Sequence, residues 1–325
     1  MSARAGLRVG TRGSALALWQ TERIRELLNA AGHPTERVEI RTTGDLVQDV
    51  PLSRIGTAAL FTRQIDEAML AGRIDVAVHS LKDLPTELPV GIVIAAIGLR
   101  EDASDALVGR GPVRWSELPP GAVIATSSLR RKAQLLHARP DIRADDIRGN
   151  VDTRLAKLDR NPSWSGILLA TAGLVRLGLD HRIGERLPSR VMLPAPGQGA
   201  LAVTARADDA AAIAAVSASV HHEPSALAVL AERAFLRRLE GGCQVPVAAL
   251  ASFEPGAGGA TLGLHGRVIS LGGDRMVEGR ESRPARTRED ADLLGLSLAE
   301  RLLADGAAGI LADVRATVAP AVSEP

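Results

Sequence analysis

The chain has 325 residues, 39 basic and 38 acidic, so its charges nearly cancel and no globally basic nucleic-acid surface is implied. Hydrophobic residues make up 46%, ample for packed cores, whereas aromatics are 2% and tyrosine is absent, which leaves few platforms for stacking single-stranded nucleic acid. A single cysteine excludes an intrachain disulfide and fits a reducing cytosol. No apolar run approaches the ~20 residues of a membrane span, and Met1–Val9 lacks the apolar core of a secretory signal.

At roughly 150 residues per domain, the length suggests two or three domains. The first half alternates short β-branched runs with amphipathic ones. Leu7–Thr11 reads as a strand, Ser14–Ala31 as a helix, Val38–Thr42 as a second strand and Thr62–Ala71 as a helix. Ile74–His79 reads as a buried strand and Ile92–Ile97 as another. This alternation predicts an α/β architecture with a largely parallel sheet. A second α/β unit is expected from about Ala106, with strands at Val123–Thr126 and Ile167–Ala170 and helices at Leu129–Ala138 and Val151–Asp159. Leu193–Ala200 is a Pro/Gly hinge, and the strand-like run Leu201–Ala205 either closes the second unit or returns to the first. From about His222 the pattern changes. One helix, Ser225–Leu239, leads to Cys243. Strand-like segments follow at Ala248–Phe253, Thr261–Ile269 and Arg275–Arg280, with a final helix at Asp290–Ala304. Gly256–Gly259 reads as a surface turn, and the last residues through Pro325 as frayed.

Three expected strand-to-helix turns share one chemistry: Thr11-Arg12-Gly13-Ser14, Thr126-Ser127-Ser128-Leu129-Arg130-Arg131, and Arg148-Gly149-Asn150-Val151-Asp152-Thr153-Arg154. Each places a Ser, Thr, Asn or Asp where an N-cap belongs. Each also places arginine at the electropositive end of a helix, where a cation costs stability unless an anion lies beside it. Unpaired amides and guanidinium forks make such an end an anion site. The residues alone leave carboxylate and phosphate ligands open, and any one of these arginines could simply face water. The segment His79–Pro85 follows a buried strand at the carboxyl end, where open α/β sheets bind ligands. There Lys82 and Asp83 can serve different groups, and Asp83 could act as a proton donor or stabilise developing positive charge.

Cys243 lies in Leu239-Glu240-Gly241-Gly242-Cys243-Gln244-Val245-Pro246. Its glycines and proline predict a loop open to a bulky partner, against the alternative of a buried thiol acting as a small hydrophobe. His221-His222-Glu223 lacks a ligand set with zinc spacing and is expected to precede a helix. Gly197-Gln198-Gly199 lacks the setting of a dinucleotide fingerprint, and no Walker A sequence is present. Gly44-Asp45 and Gln48-Asp49 read as a polar loop without a metal pattern.

Arg12–Gln20, Ala77–Pro85, Thr126–Leu135, Arg148–Leu155, Ala172–Gly178, Leu193–Ala200 and Ala231–Pro246 together resemble the porphobilinogen deaminases, also called hydroxymethylbilane synthases. The resemblance implies two domains like the type II periplasmic binding proteins around a cleft, plus a smaller α+β C-terminal domain. Domain 1 would span 1–100 and about 200–218, domain 2 residues 104–195, and domain 3 residues 222–325. It further implies a dipyrromethane cofactor joined to Cys243 by a thioether. The implied reaction joins four porphobilinogens head to tail with loss of ammonia, and water then releases 1-hydroxymethylbilane. Arg12, Ser14, Thr126, Ser128, Arg130, Arg131, Arg148, Arg154 and Arg176 would bind acetate and propionate groups, with Ser80, Lys82 and Gln198 lining the same cleft. Asp83 matches the catalytic aspartate, which would protonate the departing amine and hold the pyrrole N–H groups as the azafulvene cation forms.

The sequence departs from the family pattern at Gly56–Phe61, where a glycine-rich, lysine-bearing lid is usual and none of the residues is lysine; a direct lysine contact from this Phe61 lid is therefore in doubt. A cytoplasmic monomer is expected, with a small-molecule substrate and no metal, nucleic-acid or membrane partner. The competing class is a non-catalytic solute-binding protein, which explains the arginine turns but neither Cys243 nor Asp83. A phosphate-handling transferase would need a phosphate loop that the chain lacks.

Overall fold

The computed structural model describes residues 6–42, 62–239, 245–255 and 260–318. Its described residues build three sheets, each with helices on it. The first has the order β2-β1-β3-β10-β4, from β1 (Leu7–Thr11), β2 (Thr35–Glu39), β3 (Val76–Ser80), β4 (Ile92–Ile97) and β10 (Leu201–Arg206). The second has the order β7-β6-β8-β5-β9, from β5 (Asp105–Val108), β6 (Val123–Ala125), β7 (Arg143–Asp145), β8 (Gly166–Ala170) and β9 (Glu185–Leu187). The third is an antiparallel meander of β11 (Val247–Glu254), β12 (Thr261–Ile269) and β13 (Met276–Arg283).

In each five-stranded sheet four strands run in one direction and one is reversed, a largely parallel arrangement as the sequence predicts. β10 runs antiparallel to both β3 and β4, and β5 runs antiparallel to both β8 and β9. The cause is connectivity. The chain leaves the first sheet after β4, builds the second, and returns as β10 between β3 and β4. Leu201–Arg206 therefore belongs to the first sheet. The chain crosses between the sheets twice, at residues 98–104 and 188–200.

Helix α1 (Ala15–Ala30) starts where Ser14 accepts a hydrogen bond from the Ala17 amide at 3.3 Å. It buries Ile24 and Leu28 against Val9, Val76 and Val203. Helix α2 (Arg63–Leu70) covers the same sheet with Ile65 and Met69. In the second unit, α3 (Leu129–Ala138), α4 (Val151–Arg160) and the short α5 (Thr171–Arg176) follow β6, β7 and β8. Helix α6 (Ala210–Val220) then returns to the first unit. In the third unit, α7 (Glu223–Arg238) and α8 (Arg288–Leu302) pack together on the three-stranded sheet around Phe235, Leu294 and Leu298. His222 caps α7 by accepting from the Ser225 amide at 3.3 Å, as its position before a helix suggested. Gly295 allows the α7–α8 contact, since a Cβ there would collide with the Ala231 carbonyl oxygen. Helix α9 (Ala308–Val318) follows a kink at Gly306, whose φ is +111°.

Glu232 of α7 ties the units together. It is fully buried and accepts from Arg100 Nη1 at 2.6 Å and Nη2 at 3.1 Å, and from the amides of Gly197 and Ala251, each at 2.7 Å. Arg100 lies on one crossover, Gly197 on the other and Ala251 on the third sheet. Removing one partner of a buried ion pair leaves a charge and its donors unsatisfied. Glu232→Gln is expected to cost ~3–5 kcal/mol in urea unfolding; a loss below ~1 kcal/mol would show that the junction does not depend on this carboxylate.

Candidate active site

The site gathers where β1, β3, β6 and the segment after β7 end, beside the two crossovers. Arg12 follows β1, two residues before the cap of α1. Ser80 ends β3 and is held by the buried Gln20 of α1, whose Nε2 donates to its Oγ at 3.0 Å. A 3₁₀ turn, Leu81–Asp83, carries Lys82 and Asp83, both half-buried. The Leu84 amide closes it on the Leu81 carbonyl at 3.1 Å, and the Leu81 amide donates to Ala200 O at 3.0 Å. Gly197 lies beneath this turn with φ +77°; a Cβ there would stand 3.1 Å from Leu81 Cγ and 3.3 Å from the Lys82 nitrogen.

The second turn is built around a carboxylate absent from the sequence-derived site. Asp105, at the start of β5, has no exposed surface. It accepts from Arg130 Nη1 at 2.7 Å, from Arg131 Nη2 at 2.7 Å and Nε at 3.0 Å, and from Gln198 Nε2 at 2.9 Å. Burial alone would raise its pKa, but Arg130, Arg131 and the bonds from Arg130 and Gln198 hold it well below the usual carboxylate range. Arg130 also donates to Leu193 O at 2.6 Å and Arg131 to Leu168 O at 2.9 Å. Cations at this helix start need an anion, and the protein supplies one of its own in Asp105. Helical side chains lean back over the preceding turn, which carries both guanidinium groups onto β5.

Thr126 is buried and accepts from the Ser128 amide at 3.3 Å, while Ser128 caps α3 by accepting from the Arg131 amide at 3.4 Å. Ser127 joins the second and third turns, donating to Ile147 O at 2.7 Å and accepting from the Ile147 amide at 3.0 Å. On the third turn, Gly149 has φ +116° and Asn150 stands at the start of α4 with no side-chain cap bond, leaving that turn's amides to other acceptors. Arg154 Nε donates to Gly149 O at 2.8 Å. Burial, with repulsion from Arg131 and Arg148, lowers its pKa to about 10, while Asp83 opposes the shift. Burial also lowers that of Arg148.

Lys82 links the two halves. Its Nζ donates to Gln198 Oε1 at 3.1 Å, and the amide nitrogen of that glutamine reaches Asp105 and the carbonyl of Ala103. Burial and the nearby Arg131 lower the Lys82 pKa to about 8, against the pull of Asp83 and Asp105. Arg176 is buried at the end of α5, donates to Gly199 O at 2.5 Å and lies 6.0 Å from the Trp19 ring centroid. The structure thus brings Lys82, Asp83, Arg130, Arg131, Arg148, Arg154 and Gln198 within hydrogen-bonding or electrostatic reach of one another, while Arg12, Ser14, Ser80, Thr126, Ser128 and Arg176 lie on the strand ends, turns and helix described above. Arg130, Arg131 and Gln198 meet an internal carboxylate, whereas Arg154 and Arg176 donate to backbone carbonyls and Lys82 to the Gln198 amide oxygen. Cys243, Phe61 with the Gly56–Phe61 lid, the polar loop at Gly44–Asp49 and the Gly256–Gly259 turn lie outside the described residues. Sequence reading missed Asp105 and Ser127; the unbalanced arginines of Thr126–Arg131 were the signal that a carboxylate had to be near.

These features define an α/β protein with a cation-rich ligand site at the carboxyl ends of its strands. Residues 7–214 match the family profile described as "Porphobilinogen deaminase, dipyromethane cofactor binding domain", and residues 226–304 match "Porphobilinogen deaminase, C-terminal domain". The chain is 51% identical over 310 residues to the porphobilinogen deaminase of Desulforudis audaxviator, covering 95% of this chain and 97% of that one. It is 49% identical over 312 residues to that of Moorella thermoacetica, with 95% and 97% covered. The chain belongs to the porphobilinogen deaminase family, which carries a dipyrromethane cofactor and serves tetrapyrrole biosynthesis. The methionine binding protein MetQ aligns at TM-score 0.44 and 12% identity over 66% of this chain and 89% of its own, too loosely to bear on ligand choice. No helix among the described residues is long and apolar enough to cross a membrane.

Asp105→Asn keeps the shape and leaves two buried guanidinium groups without their counter-charge. Its expected cost is ~3–5 kcal/mol at neutral pH. Because the folded pKa of Asp105 lies below its unfolded value of about 3.9, its contribution is present above that value and is lost as pH falls toward the folded pKa. The gap between wild type and Asp105→Asn in urea unfolding should therefore narrow on acidification; a gap independent of pH would refute the clamp.

Proposed function

We propose that the chain is a hydroxymethylbilane synthase. It joins four porphobilinogens head to tail, releases one ammonia at each condensation, and yields 1-hydroxymethylbilane when water cleaves the product from a retained primer. The observation that carries this reading is the placement of Asp83 as a carboxylate on a tight turn among Lys82, Arg154 and the cationic helix starts. A reaction that builds positive charge on a substrate already bearing two carboxylates needs both features.

The donor set suits a dipyrromethane group. Its acetates and propionates are planar acceptors that match guanidinium forks and the free amides at the start of α4. Arg12, Ser14, Arg148, Arg154 and Arg176 are the side chains assigned to hold them, with Ser80 and Lys82 beside the turn. Thr126 and Ser128 set the backbone of the second turn, and Arg130, Arg131 and Gln198 keep its frame in place while offering remaining N–H groups to the chain being built. Cys243 is assigned as the thioether attachment point. When bound, the cofactor supplies the nucleophilic pyrrole carbon that accepts the first substrate.

Asp83 has two tasks. Its carboxylate accepts from the pyrrole N–H and offsets the positive charge that grows as the C–N bond of the aminomethyl group breaks. It also relays a proton, so that nitrogen leaves as ammonia and the proton lost from the attacked pyrrole carbon is returned. No metal takes part. We assign a cytoplasmic location, a monomeric state and no nucleic-acid partner. We assign the family's three-domain division to this chain, with a domain 1 at 1–100 and about 200–218, a domain 2 at 104–195 and a domain 3 at 222–325.

Intact-mass measurement of the purified protein should show the chain plus two deaminated porphobilinogen units, and Cys243→Ala should lose that addition. An active enzyme with an unmodified Cys243 would overturn the attachment. Asp83→Asn should retain fold and cofactor and lose at least ~10² in turnover, whereas Asp83→Glu should lose less. A cofactor-bearing Asp83→Asn enzyme with near-normal turnover would move the catalytic role elsewhere.

A further inference from the structure

Among the described residues, Arg233 is a buried cation with carbonyl oxygens and no carboxylate as its hydrogen-bond partners. It lies on α7 with 7% of its surface exposed. Its Nη2 donates to Pro85 O at 2.7 Å and to Thr86 O at 3.1 Å, and its Nη1 approaches Leu84 O at 3.5 Å. These are consecutive carbonyls, and they belong to the three residues that follow Asp83. Burial, with repulsion from Arg237 and Arg288, lowers the Arg233 pKa to about 10, so the group remains a cation at neutral pH.

A buried guanidinium is an expensive way to fill space, because desolvation is offset only where each N–H finds an acceptor. An apolar side chain of similar length would pack in the same place at lower cost. What an apolar side chain cannot do is fix the direction of consecutive carbonyls. The guanidinium fork does so, since its N–H vectors are rigid and coplanar.

The neighbour of Arg233 grips the other side of the same turn. Glu232 accepts from the Gly197 amide at 2.7 Å, and Gly197 lies directly under Leu81 and the Lys82 nitrogen. Two adjacent residues of one helix therefore hold the Leu81–Asp83 turn from below and from its exit. The turn itself has little internal support, with one closing bond from the Leu84 amide to Leu81 O at 3.1 Å. Beyond its ties to Ala200 and Gln198, it is held from α7.

We propose that Arg233 is a positioning residue that orients the Asp83 carboxylate by clamping the carbonyls of Leu84, Pro85 and Thr86. The inference rests on the catalytic role assigned to Asp83. A positioning group acts on turnover more than on substrate affinity, because a displaced acid–base group loses alignment while the carboxylate-binding arginines still hold the substrate.

The test compares Arg233→Met, Arg233→Lys and Asp83→Asn in the cofactor-bearing enzyme. Methionine fills the volume without donors. Lysine keeps the charge but replaces the fork by a single point. Arg233→Met should lower kcat ~10-fold or more with KM for porphobilinogen held within about twofold, and should keep the cofactor mass and the melting midpoint. Amide hydrogen exchange in the peptide spanning 81–88 should accelerate, while the peptides of α1 and α3 remain unchanged. Arg233→Lys should recover part of the lost kcat.

Unchanged kcat in Arg233→Met, or unchanged exchange across 81–88, overturns the proposal. So does a fall in kcat that only follows a general loss of stability or cofactor. If Arg233→Met does not fold, Arg233→Lys carries the same test, with faster exchange at 81–88 and a smaller fall in kcat expected. Near-normal turnover in Asp83→Asn would instead sink the role assigned to Asp83, and the exchange measurement would still decide whether the clamp exists.

Discussion

Asp105 has no surface in contact with solvent, yet two guanidinium groups and a carboxamide converge on it. Its position makes the rest of the site possible. Arg130 and Arg131 stand in the first turn of α3, where the helix dipole repels cations. Left to themselves they would extend into water or fray the helix. The buried carboxylate draws both onto the end of the second sheet, and Gln198 carries the connection to Lys82 on the first. A low-dielectric setting makes this arrangement sensitive to the loss of any member, because each remaining group would be an unpaired polar group out of water.

The same logic is repeated at the junction with the third unit. Glu232 satisfies both nitrogens of the Arg100 guanidinium and two backbone amides. Both crossovers between the sheets are held by buried carboxylates: Asp105 engages the segment at Gln198, and Glu232 engages those at Arg100 and Gly197. Gly197 and Gly199, with φ of +77° and +88°, let the returning chain pass close beneath the Asp83 turn and the 101–103 segment. Any closing motion of the two sheets toward each other would have to bend these crossovers, and their anchored ends confine it to the residues between the anchors.

The cationic character of the site follows from this division of labour. Some arginines are internal: Arg130 and Arg131 are spent largely on Asp105, and Arg233 on backbone carbonyls. Others, such as Arg154, are half-buried near like charges, with a pKa drawn down by burial and by Arg131 and Arg148. A region of this kind carries a positive field that the protein neutralises only in part, and Asp83 is the acidic side chain on the turn that faces it. In the function proposed above, polycarboxylate binding and stabilisation of a transient cation would both draw on this one small region.

Much of the architecture was legible in the linear pattern. Leu129–Ala138, Ile92–Ile97 and Thr261–Ile269 have the bounds their periodicity predicts, because a capping serine or a β-branched run is a local signal. Ser14, Ser128 and His222 stand at helix starts for the same local reason. The Lys82–Asp83 turn, the arginine-bearing loops and the cysteine segment were likewise recognisable as short contiguous motifs. Other elements were not legible. Ala210–Val220 is so rich in alanine that no face stands out, and Arg143–Asp145 is a polar edge strand defined only by its partner β6. The second strand lies at Thr35–Glu39 rather than Val38–Thr42 because pairing with β1 sets its register. The antiparallel insertion of β10, the convergence of Arg130 and Arg131 on Asp105, and the reach of Arg233 to Leu84–Thr86 are decided only in three dimensions. Each joins residues distant in sequence, and no local propensity encodes which buried cation meets which acceptor. The sequence by itself determined the chemical groups available and the local segments that carry them. The tertiary structure decided which of those charges are consumed in holding the framework and which remain for a ligand, because that choice depends on burial and on partners brought together only by folding.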